Sequence, residues 1–272
     1  MNRTRWLLLA CGVPLVIVLA LLIGAGLGGG GDPAAPTATA PPPPRFEPDS
    51  AQRTDVGSGT QSAAVFRPRG APPGPSPVVI FLHGWAAVDP AFYGAWIDHL
   101  VRRGTTVIYP IYQEAPFTDA ATPLPNMLTA LRSAFAEVPV APGRLVVAGH
   151  SAGGALSADY AASASAAGLP APAAVFSVYP GRSIGDVPAK LRPADPSAVA
   201  RGTRMLVLAG ANDTLVGTRW AREIARTATR EDVTLRIVRD PAVADHGAPR
   251  RSSGEARRTF WKPLDRLVEA TG

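Results

Sequence analysis

The chain has 272 residues, enough for one sizeable α/β domain plus extra segments. Its net charge is +6, but Arg3 and Arg5 precede an apolar stretch, and Arg250, Arg251, Arg257, Arg258 and Lys262 read as a solvated helix face and its lead-in. That balance argues against a nucleic-acid partner, and the single cysteine, Cys11, rules out an intrachain disulfide.

Trp6 to Leu27 carries no charge and has Pro14 as its breaker. As a helix it would reach about 33 Å, enough for a hydrocarbon core of roughly 30 Å. Arg3 and Arg5 flank its start and no basic residue follows until Arg45, so the positive-inside bias sends the rest of the chain outward. The expectation is a signal anchor over residues 1–27. A cleaved signal peptide, or lipidation at Cys11 of Leu8-Leu9-Ala10-Cys11, would export the same domain. The expected location is the cell membrane, single-pass, with the folded domain extracytoplasmic. The glycine run 28–31 and the prolines 41–44 mark a linker, placed over residues 28–59.

From residue 60 to 272 short β-rich runs alternate with helical patterns. Gln61–Phe66 reads as an edge strand, and Val78–Leu82 as a strand buried on both faces. A helix is expected over Pro90–Arg103, a strand over Thr105–Tyr109, and a helix over Leu124–Phe135 with Leu124, Met127, Leu128, Leu131 and Phe135 on one stripe. Leu145–Ala148 is the next strand, followed by an alanine-rich helix from Ala152. Further strands are expected at Ala173–Val178, Arg204–Leu208 and Val233–Val238, and helices at Val216–Thr227 and Gly254–Ala270. This alternation predicts a parallel sheet covered on both faces. The interval between Pro180 and Thr203 is too short for an inserted lid domain, so the site should be largely open.

Between the run Leu145–Ala148 and its helix lies Gly149-His150-Ser151-Ala152-Gly153. A G-x-S-x-G at a strand-to-helix turn lifts the serine hydroxyl above the sheet and aims the next backbone N–H, that of Ala152, at a developing oxyanion. A serine needs a base, and the base needs a third group to orient it. The histidines are His83, His99, His150 and His246. The turn directs His150 away from Ser151, His99 sits in a helix pattern as a surface residue, and His83 braces a strand-exit loop. His246 alone follows Ser151. For the acid, Asp213 follows a strand end, where functional groups collect in open α/β sheets. Asp186 and Asp195 are alternatives, Asp245 adjoins His246, and Asp213 could instead cap the following helix. The second oxyanion donor is assigned to the backbone N–H of Trp85, in His83-Gly84-Trp85, and the Trp85 ring and Tyr112 to substrate binding; Tyr109 and Gln113 stand at the same strand end as Tyr112. No metal or organic cofactor is expected.

Phe81-Leu82-His83-Gly84-Trp85, Gly149-His150-Ser151-Ala152-Gly153-Gly154, Gly210-Ala211-Asn212-Asp213 and Asp245-His246-Gly247 together resemble the α/β-hydrolase superfamily, over roughly residues 60–270. Within it the chain is similar to bacterial esterases or lipases and to dienelactone hydrolases. The latter carry cysteine where this chain has Ser151, and the His-Gly-Gly-Gly loop of the hormone-sensitive-lipase group is absent. The resemblance implies a mostly parallel eight-stranded sheet and a serine hydrolase acting on a small-molecule or lipid ester. Acyl transfer to an envelope acceptor shares the same chemistry, and a non-catalytic surface module would share only the fold.

Overall fold

The computed structural model describes residues 45–70, 74, 76–114, 118–183, 191–228 and 232–271. The expected anchor, residues 1–27, and the linker up to residue 44 lie outside these, as does Asp186. Among the described residues no helix is long and apolar enough to cross a membrane.

Eight strands form one sheet: β1 Ala51–Val56, β2 Ser62–Pro68, β3 Val78–Leu82, β4 Thr106–Ile111, β5 Leu145–His150, β6 Ala174–Val178, β7 Arg204–Gly210 and β8 Val233–Val238. Their spatial order is β1-β2-β4-β3-β5-β6-β7-β8. β1 pairs antiparallel with β2 and β2 with β4; all other pairs are parallel. The helices are α1 Gly94–Arg102, α2 Pro123–Glu137, α3 Ala152–Ser163, α4 Arg219–Thr227, α5 Gly254–Ala256 and α6 Lys262–Glu269.

Period-two alternation explains the double core. In β3, Val78, Ile80 and Leu82 point to the face covered by α2, α3 and α4, where Met127, Leu156 and Ile224 are buried. Val79 and Phe81 point to the other face, against Trp96 of α1 and Phe260 and Leu264 of the C-terminal helical segment. With both faces covered, all five residues of β3 are buried, so the sequence reads as an unbroken apolar run.

Four expectations are corrected. The linker expected over residues 28–59 ends earlier than residue 59, because Ala51–Val56 is strand β1. Only Ala51 of that strand is buried, so it carries no hydrophobic alternation. Consequently β2, expected at the edge, is the second strand. The helix expected from residue 90 starts as a 3₁₀ turn, Pro90–Tyr93, with Asp89 accepting from the Ala91 N–H (2.9 Å); α1 proper begins at Gly94. The C-terminal helix is interrupted by a π turn, Arg257–Trp261. Pro263 lacks an N–H and cannot sit in an ordinary α turn without crowding the carbonyl four residues back, so the wider turn relieves the clash.

The parallel register brings the strand ends to one edge. Leu82 is level with Gly149, His150 with Val178, and Gly210 with Val238. The loops that leave those ends carry His83-Gly84-Trp85, Ser151, Asp213 and His246.

Candidate active site

The turn at Ser151 is held in a conformation that L-residues rarely adopt, φ 59° and ψ −121°. Small neighbours make it possible. A Cβ on Gly149 would stand 2.1 Å from the Gly153 carbonyl oxygen, and one on Gly153 would stand 2.1 Å from that of Leu82. The turn is fixed by the Ser151 N–H donating to the Val178 carbonyl (3.0 Å) and the Gly181 N–H donating to the Ser151 carbonyl (3.0 Å).

Ser151 Oγ lies 3.0 Å from His246 Nε2, and His246 Nδ1 lies 2.7 Å from Asp213 Oδ2. The carboxylate accepts, so Nδ1 carries the proton and Nε2 presents its lone pair to the serine hydroxyl. The Asp213 side chain is fully buried, whereas that of His246 is 16% exposed. The alternative role for Asp213 is also occupied: its Oδ1 accepts from the N–H groups of Leu215 (3.0 Å) and Val216 (3.1 Å). One oxygen thus shapes the turn before α4, which therefore starts at Arg219 rather than Val216, and the other faces the imidazole.

Two of the competing acids, Asp195 and Asp245, are engaged elsewhere. Asp195 accepts from the Ser197 N–H (2.9 Å). Asp245 receives both guanidinium nitrogens of Arg251 at 2.6 and 2.8 Å. His99 is not a free surface histidine; its Nε2 lies 3.0 Å from both carboxylate oxygens of Asp265.

Ser151 and His246 open onto a cleft of about 880 Å³. Trp85, Ala152, Leu191, Leu215 and Val216 supply much of its apolar lining, and His246 and Arg250 stand at its polar side. Arg182 and Ser183 also line it, within the interval expected to leave the site open. Trp85 and Ala152 therefore border the same space as Ser151. Tyr112, expected at the substrate, does not: it is fully buried and its hydroxyl donates to the His83 carbonyl. Tyr109 is likewise buried, donating to the Ala87 carbonyl (2.5 Å), and Gln113 is buried too. Position at a strand end fixes height along the sheet, but the Tyr109 and Tyr112 side chains turn to carbonyls of the loop after β3 instead of into the cleft.

His83 does brace that loop. Its ring stacks on Tyr112 (centroids 4.0 Å apart, planes 2° apart) and its Nδ1–H donates to the Gly84 carbonyl (2.8 Å). Burial lowers its pKa to about 4, the hydrogen bond opposing only in part. An unfolded chain takes up a proton near pH 6.5 that the folded chain refuses until near pH 4, so stability falls as pH drops through that window. The expected loss from this residue is about 3 kcal/mol by pH 4. Urea midpoints at pH 7 and pH 4.5 measure it, and His83→Phe should flatten the slope; an unchanged slope would show that the ring is already hydrated.

Sequence reasoning missed Tyr93. It is buried, its ring tilted against Phe81 with centroids 5.0 Å apart, and its hydroxyl lies 2.8 Å from His150 Nδ1. No local pattern announces a contact between residues 57 apart in the chain.

A family model described as alpha/beta hydrolase fold matches residues 79–203. Among solved structures the chain is similar to a fungal esterase from Rhizomucor miehei, with 20% identity, a TM-score of 0.63, and 81% of this chain and 83% of that one covered. It is similar to esterase B from Lactobacillus rhamnosis, with 16% identity, a TM-score of 0.64 and coverages of 84% and 89%. An esterase from the bacterial hormone-sensitive lipase family gives 21% identity, a TM-score of 0.60 and coverages of 83% and 86%. No curated protein matches the sequence.

Proposed function

This chain is an α/β hydrolase by fold, and from that premise we propose that it is a serine esterase working through Ser151, His246 and Asp213. The observation that carries the reading is the line of hydrogen bonds from Ser151 Oγ to His246 Nε2 (3.0 Å) and from His246 Nδ1 to Asp213 Oδ2 (2.7 Å), at the wall of the cleft.

Ser151 Oγ attacks the ester carbonyl carbon while its proton passes to His246 Nε2. The imidazolium so formed is stabilised by the Asp213 carboxylate. Negative charge develops on the carbonyl oxygen and is met by the backbone N–H groups of Ala152, at the first turn of α3, and of Trp85. His246 then returns its proton to the leaving alkoxide as the C–O bond breaks. Water, deprotonated by His246, cleaves the acyl-enzyme and regenerates Ser151. The cleft's volume and apolar lining suit a small carboxylic ester. Each of the three similar structures is an esterase.

The uncharged run 6–27 and the arginines before it support a second part of the reading, that the enzyme is tethered to the membrane with its cleft on the extracytoplasmic side. The purified full-length protein is expected to release free acid from short-chain p-nitrophenyl esters. Absence of hydrolysis across a panel of acyl lengths contradicts the esterase, and acyl transfer to an added alcohol in preference to water would redefine it as a transferase. Protease added to intact cells should degrade the domain if it is exported; protection until lysis contradicts that topology.

A further inference from the structure

We propose that Tyr93 and His150 are positioning residues that tie the base loop to the oxyanion loop, with His150 holding His246 by its own carbonyl. The inference rests on the reading of Ser151 and His246 as nucleophile and base. The Gly84 N–H donates to Tyr93 Oη (3.1 Å). The Tyr93 hydroxyl donates to His150 Nδ1 (2.8 Å), and His150 Nε2–H donates to the His246 carbonyl (2.9 Å). The carbonyl can only accept, so Nε2 must carry the proton and Nδ1 must receive one; the tautomer is fixed from both ends.

Each contact in this chain lies at or next to a group with a proposed role. Gly84 precedes Trp85, His150 precedes Ser151, and the terminal carbonyl is that of His246. Neighbouring residues of the base loop are held by other partners: Tyr179 donates to the Val243 carbonyl (2.6 Å) and the Asn212 N–H to that of Ala244 (3.2 Å). A space-filling role for His150 would not need both ring nitrogens matched. Its ring lies 4.9 Å from that of His246, which becomes an imidazolium in the reaction. Burial first, then His246 and Arg250, hold His150 well below the usual imidazole pKa, so no second positive ring faces the one that forms.

The two ring nitrogens can be separated by substitution. In His150→Gln the side-chain amide can still reach the His246 carbonyl. In His150→Asn it is too short to do so but can still meet Tyr93. With the full-length protein, a short-chain p-nitrophenyl ester and thermal unfolding as control, His150→Asn is expected to lose kcat by about tenfold to a hundredfold with KM within about twofold. His150→Gln should stay within about threefold of wild type, and Tyr93→Phe should lose about tenfold in kcat. Equal kcat in the Gln and Asn variants overturns the proposal, as does an unchanged kcat in folded Tyr93→Phe, which serves where an His150 variant fails to fold. Wild-type hydrolysis that survives Ser151→Ala overturns the catalytic reading itself, and this proposal with it.

Discussion

Ser151→Ala is expected to lower kcat for a short-chain ester by about 10⁴–10⁶-fold while leaving the fold intact. In the proposed mechanism this hydroxyl forms the covalent bond to the acyl group. His246 and Asp213 would then hold each other with nothing to deprotonate. A paired substitution separates chemistry from stability. Ser151 sits at φ 59°, ψ −121°, where a Cβ is strained. Ser151→Gly removes that strain and is expected to raise stability by about 1 kcal/mol, offset in part by the greater freedom of an unfolded glycine. Ser151→Ala keeps the Cβ and gains nothing. Denaturant midpoints and kcat measured on the same two proteins test this. A glycine variant less stable than the alanine variant contradicts the account of a strained nucleophile.

Asp159→Ala is the substitution expected to cost most in stability, about 3–5 kcal/mol. Asp159, on α3, receives two parallel bonds from Arg182, both 2.8 Å, with side chains only 2% and 4% exposed. Its Oδ1 also accepts from the Ala194 N–H (3.0 Å). Removing the carboxylate strands a guanidinium away from water and frees the segment at Ala194. Arg182 also lines the cleft, next to Gly181, whose N–H holds the Ser151 carbonyl. The loss should therefore reach the nucleophile turn as well as the global stability. Replacing both partners by apolar residues of similar size, Asp159→Leu with Arg182→Met, is expected to recover most of the stability. A loss under 1 kcal/mol for Asp159→Ala in urea unfolding would mean that the pair is solvated.

Burial decided what could be read from the chain alone. β3, β5 and β6 are covered on both faces, so Val78–Leu82 and Leu145–Ala148 stand out as continuous apolar runs, and Ala173–Val178 as one broken only by Ser177. β1 is an edge strand with one buried residue, and Ala-Gln-Arg-Thr-Asp-Val carries no such signature. Ser151 was legible because a sharp turn demands glycine at fixed offsets. His246 and Asp213 were reachable by chain order after a nucleophile elbow, although only the fold brings residues 95 apart to 3.0 Å. Tyr112 shows the limit: the rule that function gathers at strand ends gives a level along the sheet and no side-chain direction. Tyr93 and His150 show another. Their bonds join separate loops through buried rings, and such pairings leave no period in the sequence.

The central claim is that Ser151 is the nucleophile. It is tested most directly by treating the full-length protein with a fluorophosphonate and locating the adduct by mass spectrometry. One adduct per chain is expected, on the peptide containing Ser151, forming far more slowly in His246→Ala. An unmodified protein, or an adduct confined to another residue, contradicts the account.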